Sequence, residues 1–577
     1  MIKSKIEDYL KKVIGDKIPV EVFVPENEKF GHYSTNIALK LRNTRIFADN
    51  TQINADKLTS MDIARRVVDS VNKIAPKNFF EKIEVAAPGF INFFISQEYL
   101  AENLKEILNK KDKFGEGENK KQTIVIEYSS PNIAKPLGIH HLSATIIGQT
   151  LVNILRFYGY KVISLSFPGD WGTQFGLLIA GYKRWGDPEK IKKDPISELL
   201  NLYVKFSEAA KNDPKLLDNG RNEFKKLENG DKENLKLWKW FSKESMKDFE
   251  RVYKILGVKI ENTIPESFYE SELKTLVKSA VERKIAKIGE DDSVIIPIPE
   301  SATPEIIQKS DGATIYTTRE LAAIRHRIKK WKADKILYVA ANQQTFHLQQ
   351  VFRCAELLGF AKPGQLGHVK FGMILGQEGK KFATREGKLI PLENVLKEAV
   401  GRSLKLVEKL NPDLPKKEKQ KIAKVVGIGA VKFFDLSQNR LSDIIFDWDK
   451  MLNLKGASAP YIQYTYSRLK SILRKAGKNR AKKFNSSLLN TKEELAVLSH
   501  LLYFPEVVEK SAKSYEPNRL TDYLLRLAEK VNLFYETTPV LKAQENLRQA
   551  RLALIEAASL IIKNGLKLLG IDVLERM

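Results

Sequence analysis

The chain carries its most reactive side chains in three short stretches. The first is the loop SPNIAKPLGIHHL, where His141 sits at the start of an apolar helical rhythm (Leu142, Ile146, Ile147, Leu151) and Lys135 lies six residues earlier. A histidine at a helix start can donate to a phosphate, with the exposed helix N–H groups adding to the field, and the lysine can meet a second phosphate as a point charge. The second is GQEGKKFATREGKLIPLENVL, with Lys380, Lys381, Arg385 and Lys388 between glycines. A loop of that kind can close over a triphosphate and stabilise charge that develops only in the transition state. The third is SDGATIYTTRELAAIRHRI. Tyr316 and Glu320 are four apart there and share one helix face, and an acid beside an aromatic hydroxyl suits a guanidinium or ammonium guest. Glu127 and Asn132, which flank the first loop, add polar contacts. Taken singly, each stretch also reads as ordinary surface chemistry: a histidine pair beside a helix cap, a solvated basic turn, an exposed i,i+4 pair.

Elements that would bring these groups together are visible around them. Residues 127–176 run from a β-branched strand through the polar loop and apolar helix to a second strand and a Gly/Asp/Trp turn. That is a βαβ unit with its reactive side chains at the carboxyl end of the first strand, where open α/β sheets bind nucleotides. Strands are expected at 123–127, 161–167, 335–340 and 367–375, and helices at 142–158, 173–184, 317–330 and 344–358. The charged segment 187–257 is helical in pattern, with Leu199, Leu202, Tyr203 and Phe206 as one apolar stripe. A charged linker spans 110–121, a helix is expected at 2–14, and the region from about 455 onward reads as helices with a basic balance.

At 577 residues the chain needs several cores. Its apolar content of 43% is enough to build them, and no apolar run is long enough for a membrane span. The N-terminus lacks a signal peptide's apolar run. Cys354 is the single cysteine, so neither a disulfide within the chain nor a Cys-based zinc site is available, and a reducing, cytoplasmic setting is the simplest expectation. The formal charge of +25 fits a polyanionic partner and fits equally a generally lysine-rich surface.

Read together, these segments resemble the class I aminoacyl-tRNA synthetases, specifically the arginyl-tRNA synthetase family. SPNIAKPL…HHLSATIIG is similar to that family's first ATP motif, KFATR (381–385) to a degenerate KMSKS loop, GDWGTQFG (169–176) to a family-specific turn, and IYTTRELA to the arginine-pocket helix. FGHYSTNIALKL and APGFINFFIS resemble the family's extra N-terminal domain, which contacts the tRNA elbow. AVKFFDLSQNR…FDWDKML, SAPYIQYTYSR and LLGIDVLERM resemble its stem and helical anticodon-binding domain.

The resemblance implies an α/β multidomain protein. An α+β N-terminal domain would span 1–118 and a Rossmann-type catalytic domain 119–400, with a helical insertion at about 187–300. Stem helices would span 401–454, and an all-α anticodon-binding domain 455–577. It implies ATP-dependent joining of L-arginine to tRNA(Arg) through an arginyl-adenylate, with Mg²⁺ brought by ATP and no dedicated metal site, activation that requires tRNA, and a monomeric, non-membrane enzyme. Carried over residue by residue, Glu127, Asn132, Glu266, Tyr316, Glu320 and Gln344 would bind arginine. Pro136, Gly138, His140, His141 and Lys381 would contact ATP. Lys135, His141, Lys381 and Arg385 would serve catalysis, with Lys135 standing in for the missing second lysine of the KMSKS loop.

Four positions depart from the family pattern. Gly138 and His140 invert the usual His-x-Gly-His, so a side chain stands where adenine normally lies against glycine. Glu320 replaces an aspartate, and Ser143 replaces an arginine. The alternatives are a tRNA-binding relative without catalysis, which the Gly138/His140 inversion favours, and a synthetase for another amino acid, which GDWGTQFG and the acidic pocket disfavour.

Overall fold

The computed structural model describes the chain except residues 1, 17, 45–57, 377–378, 380–389 and 478–483. The helix Ile2–Ile14 buries Ile2, Ile6, Leu10 and Ile14, the helical spacing that sends one stripe inward. It packs with two further helices against an antiparallel sheet of order Val22–Phe23, Tyr33–Thr35, Phe90–Ile95, Phe80–Ala86. The GHYS motif on this sheet faces the C-terminal helices. Tyr33 donates to Glu506 at 2.5 Å, and His32 Nε2 lies 2.8 Å from Ser499 Oγ. Burial holds His32 neutral, its pKa lowered to about 4. These two side chains are spent on joining the ends of the chain.

The central region is built on five parallel strands in the order Leu366–Phe371, Lys335–Ala341, Thr123–Glu127, Lys161–Ser166, Asn262–Thr263. The chain runs outward from Thr123–Glu127 in one direction and returns on its other side, so the strand order reverses between Thr123–Glu127 and Lys335–Ala341. Ligands of open parallel sheets bind outside the carboxyl ends at such a switch. Ile124, Val125, Ile126, Ile336 and Leu337 are buried, as strands covered on both faces require.

Two expectations change. The strand anticipated at 367–375 breaks into Leu366–Phe371 and Ile374–Leu375. Gly372 lies so close to Ser442 that a Cβ there would meet its carbonyl oxygen at 2.2 Å, and the second piece leaves the main sheet to pair with Ile444–Ile445. The insertion expected to be helical over about 187–300 is all helices only as far as Leu256, as Pro188–Lys193, Pro195–Asn212, Pro214–Glu228 and Lys232–Leu256. The chain then rejoins the main sheet at Asn262–Thr263, forms the helix Glu270–Glu282, and builds a small antiparallel sheet from Lys287–Ile288, Val294–Ile296 and Glu305–Gln308. Those strands are two to four residues long, too short for a period to register.

Beyond the sheet, helices Leu392–Leu410 and Lys416–Leu436 pack as a pair. From Ala459 on, the described residues form helices Ala459–Lys475, Lys492–Leu502, Phe504–Ser514, Asn518–Thr537 and Glu545–Leu568. No described helix is long and apolar enough to cross a membrane.

Candidate active site

Glu127 ends the central strand and turns its carboxylate into the interior, where Arg327 pairs with it. Arg327 also donates to Tyr338 at 2.9 Å, and its guanidinium lies over the rings of Phe167 and Tyr338. It is fully buried. Arg327, the partner of Glu127, was not anticipated from sequence. The signal was present, since Arg327 falls about three turns after Tyr316 on the helix Tyr316–Trp331 and so shares its face.

Glu320, on the same face and buried, accepts from the Tyr316 hydroxyl at 2.6 Å through one oxygen. Its other oxygen is buried with no hydrogen-bond partner among the described residues. Tyr316 turns its hydroxyl to Glu320, the residue as a whole is 43% exposed, and its ring lies 5.1 Å from the His347 ring. His347 is on the helix Thr345–Leu357, whose N-cap is Gln344; Gln344 itself is exposed.

Glu266 is buried and reaches the same place from the loop after Asn262–Thr263. Gly169 explains the contact. A Cβ there would lie 2.1 Å from Asn132 Oδ1 and 3.3 Å from Glu266 Oε1, so only glycine lets the three segments meet. Backbone bonds stitch the loops together, from Ile133 N–H to Gly169 C=O and from Gly169 N–H to Pro131 C=O, each 3.1 Å. Asp170 next door accepts from both the N–H (2.9 Å) and the hydroxyl (2.7 Å) of Ser267, which fixes the Glu266 turn.

The electrostatics of this cluster are unfavourable as it stands. Burial pushes Glu266 up to about 8 and, against the pull of Arg327, Glu127 up to about 7; Glu320 is raised by burial as well. Glu127 and Glu320 share the Arg327 guanidinium, and Glu266 feels only Arg319, which Glu270 already pairs, so the cluster carries more carboxyls than cations and a further cation would favour their ionised forms. The sign follows. Glu127 holds its proton to about pH 7 and Glu266 to about pH 8, so the stability that protonation lends is full below the ordinary carboxylate pKa and is lost as pH rises through those values, whereas a cationic guest needs the carboxyls ionised. The KM for a guanidinium substrate is therefore expected to fall as pH rises from about 6 to 8, by up to roughly tenfold per proton released per pH unit, and to level off above. A KM flat across that range, read by steady-state kinetics in constant ionic strength buffers, would contradict the assignment.

The SPNIAKPLGIHHL loop meets this cluster at Asn132, which lies against Gly169 and so near Glu266. Gly138 N–H donates to His141 Nδ1 at 3.0 Å, so the ring carries its proton on Nε2. Burial lowers its pKa to about 3. His141 is thus a neutral donor at the start of the helix Leu142–Phe157. His140 is exposed and its ring rests against His141, centroids 3.8 Å apart. Pro136 is half-buried and Gly138 buried. Lys135 is half-buried with Nζ 4.7 Å over the Tyr203 ring. Ser143 donates to the buried Asp435 at 2.5 Å, a carboxyl pushed up to about 6 by burial.

Lys381 and Arg385 lie outside the described residues. The segment that follows them is tied to the first loop. Ile139 N–H donates to Ile390 C=O at 3.1 Å, Leu392 N–H to Leu137 C=O at 2.7 Å, and Gly138 bridges Pro391.

Three family models match in succession. "Arginyl tRNA synthetase N terminal domain" covers residues 1–95, "tRNA synthetases class I (R), catalytic domain" 103–448, and "DALR anticodon binding domain" 462–577. The chain belongs to the arginyl-tRNA synthetase family. The arginine–tRNA ligase of Fusobacterium nucleatum is 40% identical over 564 residues, 97% of this chain and 95% of that protein. That of Halothermothrix orenii is 36% identical over 100% of this chain and 99% of its own. The crystal structure of Plasmodium falciparum arginyl-tRNA synthetase superposes with a TM-score of 0.83 at 26% identity, covering 100% of this chain and 98% of that one. The catalytic-domain match runs to residue 448 and so takes in the helices Leu392–Leu410 and Lys416–Leu436.

Proposed function

We propose that the chain joins L-arginine to tRNA(Arg) in an ATP-driven reaction at this site. The observation that carries the reading is the buried Glu127–Glu266–Glu320 cluster, with a Glu320 oxygen unpartnered among the described residues, reached at Gly169 by Asn132 of the loop that leads to His141. Carboxylates match the planar fork of a guanidinium, and a buried unpaired acceptor selects the ligand that supplies the donor. Asn132, Tyr316 and Gln344 complete the arginine contacts.

The reaction asks little acid–base work of the protein. The substrate carboxylate is itself the nucleophile at the α-phosphorus of ATP, and pyrophosphate leaves. A terminal ribose hydroxyl of the tRNA then attacks the carbonyl carbon of the adenylate, and AMP leaves. What remains is positioning and charge stabilisation. His141 Nε2–H and Lys135 serve the phosphates from the first loop, with Pro136, Gly138 and His140 lining the nucleotide. Lys381 and Arg385 serve the leaving pyrophosphate from the second loop. Mg²⁺ arrives with ATP as part of the nucleotide substrate.

The tRNA would lie across the C-terminal helices. There Arg468 sits between the Tyr464 and Tyr535 rings, 5.0 and 5.2 Å away, beside an apolar hollow of about 710 Å³ that Leu410, Leu533 and Met577 help line. Exposed rings and a guanidinium form a stacking surface for unpaired bases. The N-terminal domain would reach the tRNA elbow.

The test is charging of tRNA(Arg) by the purified chain with ATP, Mg²⁺ and labelled arginine, together with pyrophosphate exchange. Charging is expected, with exchange negligible until tRNA is added. A folded chain that binds the tRNA and leaves it uncharged would refute the reading, and robust exchange without tRNA would refute its tRNA dependence.

A further inference from the structure

The helical insertion touches the nucleotide loop at several points, and those contacts fall on the loop's two unusual residues. Ser129 (φ +52°) and Ala134 (φ +62°) both occupy the left-handed region, which side chains with a Cβ rarely adopt. Such conformations persist only where the surroundings over-determine them. Each is gripped by a hydroxyl from one insertion helix, Lys232–Leu256. Tyr253 Oη lies 2.8 Å from Ser129 Oγ and 3.2 Å from its carbonyl oxygen. Ser245 Oγ accepts the Ala134 N–H at 2.8 Å and donates to the Phe241 carbonyl at 2.7 Å, which fixes its orientation. Ser245 and Ala134 are both buried, so no water replaces that bond readily. The same helix sends Trp238 Nε1 to the Asp170 carbonyl at 2.7 Å, on the opposite wall. The residue after Ala134 is Lys135, and its ammonium rests over Tyr203 of the insertion helix Pro195–Asn212.

We infer that the insertion is a clamp that aims Lys135: Ser245 and Tyr253 hold the loop in its left-handed turns, and Tyr203 receives the lysine. All three are positioning residues, and the inference rests on the reading of Lys135 as a phosphate ligand. The φ at Ala134 sets the direction in which the chain leaves toward Lys135. Without the Ser245 acceptor the Ala134 N–H is stranded, and the turn relaxes toward ordinary backbone angles. A displacement of about 1 Å at a reacting group can cost on the order of 100-fold in rate.

The test uses the full chain and arginylation of tRNA(Arg). Ser245→Ala is expected to lower kcat by roughly 10- to 100-fold with the KM for arginine nearly unchanged. In a Lys135→Ala background the same change should cost less than about threefold, because the two act through one group. Tyr203→Leu is expected to cost about fivefold and Tyr203→Phe, which keeps the ring, almost nothing. Independently of activity, amide hydrogen exchange across residues 129–137 should quicken in Ser245→Ala. A Ser245→Ala loss that is equally large with and without Lys135 would overturn the clamp, as would unchanged exchange in the loop. Failure of the unmodified chain to charge tRNA(Arg) refutes the functional reading instead, and the exchange measurement still decides the clamp.

Discussion

Replacing Glu320 by Gln is expected to lower kcat/KM for arginine by about 1,000-fold, with the KM for ATP little changed. The carboxylate already accepts one bond from Tyr316, and its second oxygen is buried with no partner among the described residues. A guanidinium supplies both the charge and the donor that oxygen lacks. Gln at the same place turns amide N–H groups toward guanidinium N–H groups, so donors face donors and a charge–charge contact disappears. The variant also removes one of three crowded carboxyls that burial already penalises, so the empty protein should melt no lower than the unmodified chain. Steady-state charging with arginine varied, alongside a thermal melt, reads both effects. A loss under about tenfold, or a marked drop in melting temperature, would remove Glu320 from arginine recognition and make it a structural group.

Lys135→Ala is the second large effect. Kcat for arginylation should fall roughly 10²- to 10³-fold, the scale for removing one preorganised charge stabiliser, while the KM for arginine and the melting temperature stay near their original values. The side chain is half-buried over one ring and joins no ion pair among the described residues, so its loss opens no core. His141 cannot compensate as a cation, because burial keeps it neutral down to about pH 3. A variant with unchanged kcat would leave the first loop without its charge and shift the burden to Lys381 and Arg385.

The parts of this site that the sequence disclosed are those made by neighbours along the chain. Tyr316 and Glu320 share a face because they are four apart on a helix, and they hydrogen-bond as that spacing allows. The Glu127 strand, the His141 helix start and the GDWGTQFG turn read as a βαβ unit because each period is long enough to register. What stayed hidden is made across long separations. Arg327 reaches Glu127 from 200 residues away, and Ser245 reaches Ala134 from 111 away. Nothing in local spacing ties the members of either pair. The His141 tautomer follows from a single backbone N–H that no pattern of residue types reveals. Gly372 interrupts its strand because Ser442 crosses there, again a tertiary cause. His32 and Tyr33, which sequence resemblance placed in a tRNA-contacting domain, turn out to be engaged with Ser499 and Glu506 inside the molecule.

The central claim is that buried carboxylates choose the substrate by the charge of its side-chain head, and citrulline tests it most directly. Citrulline keeps the length and planarity of arginine and replaces the guanidinium by a neutral ureido group. The measurement is tRNA-dependent pyrophosphate exchange at pH 8 with each amino acid, and with citrulline as a competitor of arginine. The account predicts exchange with arginine, discrimination against citrulline of at least about 1,000-fold, and no competition at concentrations that saturate with arginine. Citrulline that competes as well as arginine would contradict it, since the Glu127–Glu266–Glu320 cluster would then be reading shape alone.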